Sequence, residues 1–189
     1  MNVTMTKSNQ GFTLIELVLV ITIIGILAAV ALPRFTNMQR DARIAKLNGI
    51  RGATGGAVAM VHGVLLARSG VPDPAPCPGT ASTADNVTTV CTESGLVSVV
   101  NGYPQALAPG AGAGIISAAG LTSAFSPSAA QMFAEGYATS GGGSAINSVL
   151  TIEVVGGTDA GACSFTYSPS TGGAPGSGAS ISVVDTAGC

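Results

Sequence analysis

The chain has 189 residues, room for one domain and an anchoring segment. Aromatic residues make up 4% and tryptophan is absent, so a core must be built from helix contacts, sheet pairing, crosslinks or neighbouring molecules rather than from large side chains. The formal net charge of -2 hides a segregation, because every lysine and arginine lies at or before Arg68 while Asp73, Asp85, Glu93, Glu135, Glu153, Asp159 and Asp185 follow it. The basic stretch is too sparse for a nucleic-acid groove, so no nucleic-acid partner is predicted; it reads as a solvated helix face beside an anionic membrane.

Residues 1–11 are polar or small and carry Lys7. The run from Phe12 to Leu32 that follows is apolar apart from Glu16. It meets the roughly 20 residues that a helix needs to cross hydrocarbon. Ala29-Val30-Ala31 also resembles a signal peptidase site, so a cleaved secretory peptide ending at Ala31 is one reading. A one-pass anchor is another. Neither explains Glu16, since an unpaired carboxylate in lipid costs several kcal/mol. Either the segment leaves the lipid, or Glu16 meets a partner that a single chain lacks.

Pro33 is predicted to kink the helix or open it locally, with Gly25 as a second weak point. The helix then resumes to about Ser69. Ile44, Leu47, Ile50, Ala53, Ala57, Val61, Val64 and Leu65 recur mostly every three or four positions and form one apolar stripe for a head to pack on. Asp41, Lys46 and Arg51 fall on more solvated faces. Gly49, Gly52, Gly55, Gly56 and Gly63 lower helicity; they allow close approach of another element or simply reflect a small-residue composition. His62, the single histidine, is expected to be a packed or solvated helix residue without a catalytic or metal role.

Four prolines in "GVPDPAPCPGT" place a loop at the start of residues 70–95. Leu96–Val100 is a short strand or a helical turn, residues 106–124 lack periodicity, Ala129–Tyr137 is a short helix, and "GGGS" at 141–144 is a flexible break. "SVLTIEVV" at 148–155, "CSFTYS" at 163–168 and "ASISVVD" at 179–185 read as three strands of a small antiparallel sheet on the helix, an α+β fold. Cys77, Cys91, Cys163 and Cys189 all lie in this head, and an even count in an exported domain suggests two disulfides. Three pairings are possible; the sequential one, Cys77 with Cys91 and Cys163 with Cys189, closes short loops and is preferred. Without a CxxC pair, zinc is not expected, and Asp159 with Asp185 supplies too few oxygens for calcium. "GAGAG" at 110–114 lacks the GKS or GKT of a phosphate loop. Asn86-Val87-Thr88 is a glycosylation triplet of the kind that a Ser/Thr-rich chain produces by chance. No catalytic set and no cofactor is predicted.

"GFTLIELVLVITIIGILAAVALPRF" resembles the class III signal and N-terminal helix of type IV pilins and the related pseudopilins. The resemblance implies a pilin fold, with a long N-terminal helix and a small antiparallel head. It implies a leader at 1–11 cut after Gly11 by a prepilin peptidase, and N-methylation of the new terminus Phe12. An apolar assembly helix at 12–35, its amphipathic continuation at 36–69 and a head at 70–189 complete the plan. Glu16 matches the family's acidic residue, which pairs during assembly with the Phe12 amine of a neighbouring subunit; Pro33 matches its kinking proline, and Gly25 lets neighbouring helices approach. "DARIAKLNGIRGATGGAVAMVHG", "NGYPQA" and "CSFTYSPS…ISVVDTAGC" are similar to the mannose-sensitive haemagglutinin group of type IVa pilins. The implied protein is a filament subunit, moving from the inner membrane into an extracellular pilus used in surface attachment. Its implied partners are copies of itself, minor pilins and the inner-membrane assembly machinery. A minor pilin or a type II secretion pseudopilin is the alternative, whereas GFTLIE argues against a tethered periplasmic binding module or enzyme.

Overall fold

A computed structural model describes residues 11–159, 161–170 and 177–189, so residues 1–10 of the expected leader lie outside it. The chain divides into two compact units, Met1–Gln39 and Arg40–Cys189. Helix α1 covers Leu14–Arg68. At its start the Thr13 hydroxyl accepts the N–H of Glu16 at 3.3 Å, an N-cap arrangement. At its end Ser69 takes a left-handed φ of 51°, Gly70 follows at 76°, and the N–H of Ser69 closes onto the Leu65 carbonyl at 2.9 Å. The helical backbone is unbroken at Pro33, so the expected local opening there is absent: a proline removes one backbone bond, and the turns around it stay helical.

Two antiparallel sheets form the head. The first is a meander of β1 (Thr89–Thr92), β2 (Gly95–Val100) and β3 (Tyr103–Pro104). Asn101 and Gly102 connect β2 to β3 with φ of 49° and 81°, the left-handed pair that a two-residue hairpin turn requires. Helices α2 (Ile115–Ala118) and α3 (Ala129–Ala134) follow. Ser128 caps α3 in a capping box with Gln131. The second sheet runs in sequence order through β4 (Tyr137–Gly141), β5 (Leu150–Val154), β6 (Ser164–Ser168) and β7 (Ser180–Ile181). The expected three strands are therefore four. Residues 70–95 contain β1, and the expected break at 141–144 is partly structured, since Gly141 ends β4 and Gly143 bridges to Ala106.

Alternation on the strands supplies the core. Leu150, Ile152 and Val154 of β5 and Phe165 and Tyr167 of β6 are buried with Leu47, Ile50 and Ala57 of α1. Val90, Val97 and Val99 of the first sheet pack with Val61 and Leu65. The buried face of α1 is thus Leu47, Ile50, Thr54, Ala57, Val61 and Leu65. Ala53 and Val64, expected in the stripe, are exposed, and Thr54 takes the inward position between Ile50 and Ala57. The Tyr167 hydroxyl crosses from one sheet to the other and donates to the Pro104 carbonyl at 2.6 Å; burial pushes the phenol well above its ordinary range.

The cysteines pair sequentially, Cys77 with Cys91 and Cys163 with Cys189. The first bond ties the proline-rich loop to β1, and the second ties the last residue of the sequence to the start of β6.

Candidate functional site

The apolar half of α1 is long enough to cross a membrane by length and composition. Its large side chains from Leu14 to Leu32 are exposed, and Phe12 just ahead of it is 85% exposed. A helix with no apolar side covered must meet lipid or protein. Gly11 is exposed, and among the described residues nothing lies within 4 Å of where a Cβ would stand. Gly25 is equally open. Thr22 satisfies its hydroxyl on the Leu19 carbonyl at 2.9 Å. Glu16 sits in the first turn, where the positive end of the helix dipole favours a carboxylate. Among the described residues no cation meets it.

Four cations after this half reach main-chain oxygens of the head. Arg40 and Arg43 donate to the main-chain oxygens of Thr186 and Cys189, at 3.3 and 2.6 Å. Arg51 donates to Ser182 O at 2.7 Å. Lys46 donates to Glu135 O and stands 4.1 Å from the centre of the Tyr137 ring. This corrects the solvated placing of Lys46 and Arg51. The reason lies in composition: the chain beyond Arg68 has no lysine or arginine, and β7 pairs over only two residues, so the carbonyls of Ser182, Thr186 and Cys189 take side-chain donors from α1.

His62 stacks on Tyr103, with ring centroids 4.3 Å apart, and its Nδ1 lies 2.9 Å from the Gly102 carbonyl. A carbonyl only accepts, so Nδ1 carries the proton and the histidine fastens the β2–β3 turn to α1. Asp85 organises the loop before β1. It accepts from the N–H groups of Val87, Thr88 and Thr89 and from both threonine hydroxyls. Burial pushes its carboxyl up, but these hydrogen bonds outweigh that and hold it well below the usual carboxylate range. Asn86 of the glycosylation triplet is buried, and its amide donates to the Val71 carbonyl at 2.8 Å. "GAGAG" is a tight turn: a Cβ on Gly114 would stand 2.4 Å from the Gln105 carbonyl oxygen. Among the described residues no group of three or more His, Cys, Asp or Glu could hold a metal ion.

The decisive likeness lies in the apolar helix. The prokaryotic N-terminal methylation motif matches residues 6–32. The fimbrial protein EcpB of Eikenella corrodens is 45% identical over 64 residues, 34% of this chain and 38% of that protein. The likeness to type IV pilins and fimbrial proteins is thus carried by the N-terminal third of the chain. A type IV narrow pilus major component of Thermus thermophilus is 42% identical over 64 residues, 33% of this chain and 52% of that protein. The type IV major pilin of Myxococcus xanthus is 64% identical over 31 residues, 16% of this chain and 14% of that protein. The chain therefore spans about half the length of these relatives or less. No solved structure matches it.

Proposed function

We propose that the chain is a structural subunit of a bacterial type IV pilus, with no enzymatic role. The observation that carries this reading is an uncovered apolar helix, matching the methylation motif, at the head of a chain whose remainder packs into a disulfide-tied α+β unit. A prepilin peptidase cuts after Gly11, and Phe12 becomes the methylated terminus. The anchor at 12–35 holds the precursor in the inner membrane. It then passes into a filament core of identical helices, so its apolar area stays away from water in both states. Gly25 permits close helix approach there. Glu16 is neutralised by the Phe12 amine of a neighbour, a pairing that is strong only where the geometry is good. Pro33 lets the anchor bend as it changes surroundings. The helix continues through 36–69, and the head at 70–189 coats an extracellular fibre whose use is surface attachment, as the haemagglutinin-group resemblance implies. The assembly machinery and minor pilins are the remaining partners.

Electron microscopy of material sheared from cells, with mass spectrometry of its protein, tests this. Thin helical fibres composed chiefly of this chain are expected. Trace amounts would make it a minor pilin, and absence from any external fibre would favour a secretion pseudopilin.

A further inference from the structure

Among the described residues nearly every cation has a partner. Arg40, Arg43, Lys46 and Arg51 hold main-chain oxygens, and Arg68 pairs with Asp73 at 2.8 Å. Arg34 has no partner among the described residues. It shares a helix face with Met38, and Phe35 lies three residues from Met38; both apolar side chains are exposed.

Elsewhere on the chain a groove of about 550 Å³ lies between α1, β1 and α2, floored by Met60, Val61 and Val64 and walled by Val90 and Ala118. Met60 is 66% exposed. Glu93, in the turn after β1, forms the groove's charged rim. Its carboxylate has no partner among the described residues, and no lysine or arginine follows Arg68 in the sequence.

We propose that this groove receives the stretch Arg34–Met38 of a second copy, with Phe35 and Met38 in the apolar trough and the Arg34 guanidinium on the Glu93 carboxylate. The inference rests on the filament reading above and names the head's part in it. Charge complementarity selects the occupant: an unpaired arginine beside two exposed apolar side chains meets an unpaired carboxylate beside an apolar trough. A planar guanidinium suits a carboxylate better than an ammonium does. Residues 34–38 and 57–64 are different surfaces, so the contact is heterologous. Repeated without closure, a heterologous contact generates an open helical assembly rather than a closed dimer.

Charge reversal in filament-forming cells tests the pairing. Arg34→Glu alone and Glu93→Arg alone each set like charges together, and sheared filament yield is expected to fall about tenfold. The double variant should return it to within about twofold of wild type. Singles that assemble normally, or a double no better than the worse single, would overturn the pairing. Because reversal at Arg34 could disturb membrane insertion, a second measurement keeps the native charges. A photo-crosslinking phenylalanine analogue in place of Phe35 should join copies at residues 57–64 or 90–94, and crosslinks confined to other segments would overturn the docking. If wild-type cells make no fibre of this chain, the filament reading itself fails; mislocated crosslinks in normal fibres defeat only the docking.

Discussion

The two halves of α1 have similar helical backbone and opposite surroundings. From Leu14 to Leu32 the helix is apolar on every side and covered on none. From Arg40 to Arg68 one face is buried under two sheets, and the cations flanking it hold the carbonyls of the head. On the filament reading proposed above, one helix is an assembly element in its first half and a core element in its second. The apolar area of the first half is uncovered by the rest of the chain, and that of the second is buried within it. Mutations should therefore separate cleanly: those in the second half act on folding, and those in the first act on assembly.

Removing core from the second half should have the largest effect on stability. Leu47 is fully buried, so Leu47→Ala should destabilise the head by about 2–5 kcal/mol in denaturant unfolding of the detergent-solubilised chain. Ile24→Ala should leave that curve unmoved while lowering filament yield. An equal loss at both sites would erase the distinction.

The disulfides come next. Loss of either bond should cost about 2–4 kcal/mol. The Cys163–Cys189 loop spans 26 positions against 14 for Cys77–Cys91, so in the chain-entropy account its loss should cost about 0.5 kcal/mol more. Paired Cys→Ser variants measured side by side would show the order.

The arginine contacts sharpen the comparison further. Arg51→Ala removes a partly buried charged hydrogen bond and should cost about 1.5–3 kcal/mol, whereas the exposed contact of Arg40 should cost less than about 1 kcal/mol. Protease protection of Ser182–Cys189 reads both directly.

Much of this was legible in the sequence. The apolar run, its lone carboxylate and the strands at 148–155 and 163–168 follow from hydropathy and alternation, and the cysteine pairing from loop length. The first sheet was less visible, because its prolines and short strands resemble a loop; yet "VVNGYP" places Asn-Gly between β-branched and aromatic residues, a strong hairpin signature. Strand β4, "YATSG", has little β-propensity of its own and is held by pairing with β5. The roles of Arg43 and Arg51 could not be read locally, since their acceptors lie 146 and 131 positions away. The same holds for Thr54, whose inward place depends on what the sheets cover.

The smallest expected effect is that of acid. The Asp85 carboxyl is held below its unfolded value, so its contribution is present above about pH 4 and fades as pH falls below that. Asp85→Asn should flatten that part of the stability profile, seen by following unfolding from pH 6 to pH 3; a profile as steep as wild type would remove the role.

On the filament reading, residues 12–32 remain in the mature protein and serve assembly. N-terminal mass spectrometry of the chain in sheared filaments tests it most directly. A mature terminus at Phe12 bearing one methyl group is the expected result. A terminus at Leu32, left by cleavage after Ala31, would remove the assembly helix and contradict the account.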